Sequence, residues 1–171
     1  VAFSTLARSY PDLWLRGSFS GPLTLSGTLA DMEVSTTLDG DAGTIRFAGK
    51  AGFEGAGRHA SGTVILDHAD LRAVTGRSAV PQTDLTAHLT GDLRGTSLST
   101  FTGQAAISVA RSTVYRTGVM SARARLRFGG GRAHVDTMRV ESAIGSLDVT
   151  SGGGLGLIAG TTDSLAFTLV A

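Results

Sequence analysis

Ser121-Ala122-Arg123-Ala124-Arg125-Leu126-Arg127-Phe128 is the stretch whose reading decides the fold. At a period of two, Ala122, Ala124, Leu126 and Phe128 share one face and Ser121, Arg123, Arg125 and Arg127 the other, as a strand with one buried face requires. Gly129-Gly130-Gly131 then supplies a turn. The chain returns from Arg132 with Ala133 and Val135 in phase but Met138 and Val140 out of phase. One extra residue in the strand restores the phase, so a β-bulge is expected near Asp136-Thr137.

The same alternation extends outward in both directions. Leu23, Leu25, Gly27 and Leu29 alternate with hydroxyl residues, and Met32, Val34, Thr36 and Leu38 answer them across a tight hairpin placed at Ala30-Asp31. A turn at Asp39-Gly40-Asp41-Ala42-Gly43 leads into Ile45, Phe47, Gly49, Ala51 and Phe53. Residues 62–67, then Leu85, Ala87 and Leu89, then Ala105, Ile107 and Val109 continue the pattern, and residues 145–151 with Leu165, Phe167 and Leu169 complete ten to twelve short strands. Helix is confined to short pieces: a single turn over residues 70–75, a second over 96–100, and an irregular lead-in over 4–12 closed by Pro11. None is long enough for a crossover between parallel strands. The expected fold is therefore all-β, a single elongated antiparallel sheet over residues 1–171 with no internal linker.

Composition narrows the function classes. The 24 glycines among 171 residues are about twice average usage, but only 3 prolines accompany them and no Gly-X-Y period runs through the chain, which excludes collagen. The absence of cysteine removes disulfides, thiolate metal sites and cysteine nucleophiles. A formal net charge of +1 provides no overall reason to bind nucleic acid. No apolar run reaches the roughly 18 residues of a membrane span, and the chain opens on Val1, so it is expected to be a segment excised from a longer protein.

Catalytic motifs fail on inspection. Gly17-Ser18-Phe19-Ser20-Gly21 has Phe19 where a nucleophile elbow needs serine. Asp67-His68-Ala69-Asp70 offers three possible metal ligands in four residues, yet no second ligand cluster completes a metal site, and His59, His88 and His134 stand alone. Gly152-Gly153-Gly154-Leu155-Gly156 lacks the lysine and following helix of a phosphate loop and reads as a flexible turn. The expectation is a protein that is not an enzyme and uses no cofactor.

Two features remain. Between Arg111 and Arg139 seven arginines face Asp136 alone, a local excess of +6. Arg123, Arg125 and Arg127 lie on one sheet face, where guanidinium groups can contact anionic head groups or simply keep an open sheet soluble. The second feature is collective. Every strand has one apolar face and nothing in the pattern covers it, so the sheet either closes on itself as a sandwich or barrel or curls into a trough lined for an apolar ligand. Small residues on that face, Gly27, Gly49, Ala51, Ala87, Ala105, Ala122 and Ala124, favour room inside. Ten strands at about 4.8 Å each make such a trough on the order of 48 Å long.

Residues Gly21-Pro22-Leu23-Thr24-Leu25-Ser26-Gly27-Thr28-Leu29-Ala30-Asp31-Met32-Glu33-Val34 resemble the repeats of the AsmA and TamB-like bacterial envelope proteins, which often read Gly-x-Leu-x-Leu-x-Gly-x-Leu-Ala-Asp-Pro-x-Val, with Met32 here in place of proline. Asp92-Leu93-Arg94-Gly95, the run from Leu98 to Ala105, the arginine-alternating strand, Phe128-Gly129-Gly130-Gly131-Arg132 and Val135-Asp136 extend the likeness over most of residues 17–157. The resemblance implies a β-groove, or β-taco, that carries phospholipid acyl chains through the periplasm between the inner and outer membranes and supports outer-membrane assembly. It also implies an inner-membrane anchor and an outer-membrane β-barrel partner for the full-length protein, and no nucleic acid. The family has no catalytic residues to carry over. The groove lining is expected to comprise Leu23, Leu25, Ile45, Phe47, Phe53, Leu85, Leu89, Ile107, Val109, Leu126, Phe128, Val135, Leu147, Val149, Leu165 and Phe167. Arg123, Arg125 and Arg127 are the candidate contacts for an anionic head group. The competing expectation is a secreted or surface β-solenoid or adhesin module with a closed core.

Overall fold

A computed structural model describes residues 18–54, 58–76, 78–97, 99–156 and 164–170. In chain order the elements are β1 (Phe19–Ser20), β2 (Leu23–Gly27), β3 (Met32–Gly40), β4 (Gly43–Gly52), β5 (His59–Ala69), α1 (Leu71–Thr75), β6 (Thr83–Arg94), β7 (Thr102–Val109), β8 (Ser112–Val114), β9 (Thr117–Gly129), β10 (Arg132–Ser142), β11 (Gly145–Gly156) and β12 (Ser164–Val170). All twelve strands belong to one antiparallel sheet whose path runs β1-β3-β4-β5-β6-β7-β9-β10-β11-β12. Two positions on this path are interrupted strands. β1 and β2 lie end to end along β3, and β7 and β8 lie end to end between β6 and β9. The path does not return to its start, so the sheet is open and is neither barrel nor sandwich among the described residues.

Hairpins build it in sequence order because each turn carries the residues its geometry needs. Gly130 and Gly131 join β9 to β10 with φ of 58° and 69°, two consecutive left-handed residues, as a two-residue turn matched to strand twist demands. The first hairpin turns at Leu29-Ala30, one residue earlier than the sequence suggests, closed by reciprocal Thr28 and Asp31 backbone bonds of 3.1 Å. The expected bulge is present: the β9–β10 register shifts between Val135 and Thr137, returning Met138 and Val140 to the face of Ala124 and Ala122. The single turn of helix also forms. Asp70 caps it, its carboxylate accepting the Arg72 N–H at 3.0 Å, and Gly76 ends it at φ 64°.

Two local expectations are corrected. Where a helix over residues 96–100 is expected, the described residues Thr96, Ser97, Ser99 and Thr100 make a hydroxyl-knotted turn, with the Thr100 N–H on the Ser97 carbonyl and the Thr100 hydroxyl accepting the Thr96 and Ser97 N–H groups. Gly152 to Gly156 is part of strand β11 rather than a turn, its pairing with β12 shifting between Thr150 and Gly154. The lead-in over residues 4–12 lies outside the described residues.

Burial follows the face. Ala87, Ala133, Val135 and Val149 are buried, and Ile45, Phe47, Val64, Leu89, Ile107 and Leu126 half-buried, whereas Arg46, His88, Ser108, Arg123 and Arg125 on the other face are exposed. A flat single layer leaves both faces in water. Shielding of one face with no second sheet over it, among the described residues, is what a sheet curled around that face into a groove gives. One rim is packed shut locally: Phe19, Leu38, Ala42 and Val74 of α1 form a buried cluster with Ile45 against it.

Candidate functional site: an apolar groove and an arginine-bearing outer face

Strand register turns alternating residues into continuous lines. Facing residues in neighbouring strands share a face, so a row of register partners runs along the sheet, perpendicular to the strands. One such row reads Phe47, Val64, Leu89, Ile107, Ala124, Met138, Val149. Beside it runs Ile45, Leu66, Ala87, Val109, Ala122, Val140, Leu147. On its other side Val34, Gly49, Gly62, Gly91, Ala105, Leu126 and Val135 form a row whose middle is nearly without side chains. No charged residue interrupts these rows. Seven strands at about 4.8 Å give an apolar strip roughly 30 Å long.

The expected lining residues fall on this face in the register pairs that include them. Leu23 and Leu25 pair with Thr36 and Val34 at the β2 edge and are 43% and 53% exposed. Phe53 lies just past β4, 55% exposed, its N–H on the Leu29 carbonyl, so it stands at a rim. Leu85 extends the β6 face beyond Ala87, next to the β5 bulge. Phe128 meets Phe101 edge to face at 6.1 Å. The side chains of Leu165 and Phe167 lie outside the described residues. Sequence reasoning left out Val64, Leu66, Met138 and Val140: the first two sit in the run Val64-Ile65-Leu66, where alternation is masked, and the last two needed the bulge.

Register also decides the fate of the arginines. Arg127 Nε lies 2.7 Å from both Asp136 carboxylate oxygens, which the bulge swings beside it. The pairing raises the Arg127 pKa and holds the Asp136 carboxyl below its usual range, through the hydrogen bond first and charge second for Arg127. Arg139 contacts Glu141 at 3.2 Å and Asp148 at 3.7 Å. Arg123 and Arg125 have no such partner among the described residues, so of the three arginines that look alike in the sequence of β9 only Arg127 is neutralised.

Asp67-His68-Ala69-Asp70 is divided among structural duties. Asp70 caps α1, and buried Thr83 ties that cap to β6 by donating to the Ala69 carbonyl at 2.8 Å and accepting the Leu71 N–H at 2.9 Å. His68 stands at the β5 bulge with φ 52°, its Nδ1 2.7 Å from Asp84 and its Nε2 3.9 Å from Asp67. The Asp84 hydrogen bond, then the Asp84 and Asp67 charges, raise the His68 pKa above the ordinary 6.5. A pKa raised on folding stabilises the fold fully below the unfolded value, and that contribution is lost as pH rises through the folded value. An imidazole titration followed by NMR is expected to place His68 above 6.5, and Asp84→Asn to bring it back toward 6.5; an unchanged midpoint in the variant would remove Asp84 as the cause.

Comparison of the chain with protein-family models, with curated proteins and with solved structures found no match.

Proposed function

We propose that the chain is a non-enzymatic lipid conduit segment, which holds phospholipid acyl chains in its apolar groove and passes them along the sheet between the inner and outer bacterial membranes. The observation that carries this reading is the set of uninterrupted apolar rows running along the open sheet. An acyl chain needs a continuous dry surface and no directional partner, because its transfer free energy scales with the apolar area removed from water. The glycine-rich third row leaves space above the backbone that a second row of large side chains would fill. The resemblance to the AsmA and TamB-like repeats points the same way and suggests the periplasm as the compartment, with the anchor and outer-membrane partner supplied by the rest of a longer protein.

Native mass spectrometry of protein purified without detergent is expected to show co-purifying phospholipid, released by organic extraction. Protein that carries no lipid and takes up none from vesicles of phosphatidylethanolamine and phosphatidylglycerol would exclude the conduit and favour a structural module.

A further inference from the structure

Ion pairing leaves Arg123 and Arg125 on the outer face of β9 uncommitted among the described residues, and they are neighbours. Arg123 and Arg125 project from β9 two residues apart, roughly 7 Å along the strand. Their register partners on β7 are Ser108 and Ala106, side chains too short to fill the space between β9 and β6. Beyond these, His88 and Thr90 of β6 form the opposite wall. The result is a depression of about 370 Å³ whose floor is Ala106 and Ser108. No carboxylate among the described residues lines it. The adjoining 530 Å³ hollow shares Thr90, Ala106 and Arg125 with it but adds Asp92 and Asp136 beside Arg127, so anions are discouraged on that side.

We propose that this depression binds a phosphate-type oxyanion, held between Arg123 and Arg125 with hydroxyl donors from Thr90 and from Ser108, which gives up its long 3.5 Å bond to the His88 carbonyl. Guanidinium forks match the oxygens of a tetrahedral anion and form charge-assisted bonds stronger than neutral ones, and hydroxyls can rotate to donate to the remaining oxygens. Arg127 and Arg139 are excluded from the role because the Asp136, Glu141 and Asp148 carboxylates already stand against them and repel an anion. The site faces away from the groove, so it stands or falls independently of what the groove carries. Its phosphate can be a free phosphate or the head group of an anionic membrane surface.

The test follows the arginine Nε–Hε resonances of the chain by NMR while inorganic phosphate replaces chloride at constant ionic strength. Saturable shifts are expected at Arg123 and Arg125 with Arg127 and Arg139 unmoved, and in the Arg123→Gln/Arg125→Gln double variant the backbone amide shifts of Ser108 and Thr90 are expected to half-saturate at least about tenfold higher in phosphate than in the parent chain. Equal, unsaturable drift at all four arginines would mean screening alone and would overturn the site. Flotation with phosphatidylcholine vesicles, with and without phosphatidylglycerol, separates the sources. Binding to the anionic vesicles that phosphate competes away and the double variant loses identifies a head group; saturation by phosphate without vesicle binding identifies a free phosphate. Vesicle binding that survives the double variant would place membrane contact elsewhere and count against the site.

Discussion

Leu126→Asp is expected to leave the sheet folded and to reduce bound phospholipid on the order of 100-fold. Leu126 faces the groove between Ala105 and Val135 and is half-buried, so aspartate fits without overpacking. In the empty groove water reaches the carboxylate and the fold tolerates it. Once acyl chains fill the groove, the charge loses its hydration with no partner on the face, at a cost of several kcal/mol. Each 1.4 kcal/mol is tenfold, so about 3 kcal/mol accounts for the expected loss. Ala48→Asp is the matched control, because Ala48 adjoins Phe47 in sequence but lies exposed on the outer face; it is expected to retain lipid. Circular dichroism must first show both variants folded. A folded Leu126→Asp protein carrying the normal lipid load would end the groove proposal.

The second large effect separates two glycines of one row. Gly62 and Gly49 face each other across β4 and β5, and a Cβ on Gly62 would sit 2.5 Å from the Ala48 carbonyl oxygen and 2.7 Å from Gly49 Cα. Gly62 also holds φ at 157°. Side chains rarely adopt that angle, and backbone atoms cannot move aside cheaply, so Gly62→Ala is expected to cost about 3 kcal/mol. For a chain of this size that is roughly 6–12 °C in Tm. Gly91 is the next residue along the same row, yet its Cβ would meet only ordinary contacts, Gln104 O at 3.5 Å and Ala105 Cβ at 3.8 Å. Gly91→Ala is therefore expected to be neutral or to stabilise by about 0.5 kcal/mol through lower unfolded-state entropy. Equal melting temperatures for the two variants would refute the close β4–β5 approach. That approach has a use: the Phe47 ring leans over Gly49, its Cζ 2.9 Å from where a Cβ would be, covering backbone that two facing glycines leave bare.

Alternation determined a large part of this protein without any tertiary information. Period two is a property of the extended backbone itself, so the all-β class, the inward set from Ile45 to Val149 and the bulge at Asp136 could be read from the order of residues alone. Short-range chemistry was equally legible at the α1 turn, where Asp70 and Gly76 are cap residues by type. Where the signal was compositional it failed. A glycine run at residues 152–156 looks like a turn because glycine is permissive, but pairing to β10 and β12 keeps it in a strand. Thr96 and Ser97 do not open a helix because the Thr100 hydroxyl takes their backbone N–H groups.

Only the tertiary structure decided that the sheet stays open, since whether β1 meets β12 depends on twist and curvature accumulated over ten positions, which no local pattern encodes. It alone decided which glycines are indispensable, because a Cβ is excluded by a neighbouring strand's backbone rather than by anything in the glycine's own strand. And it alone separated Arg123 and Arg125 from Arg127 and Arg139. The four share residue type and face, but charge pairing acts through a few ångströms of space; Glu141 lies on the strand of Arg139 itself, whereas Asp136 and Asp148 come into reach only through the cross-strand register and its bulge.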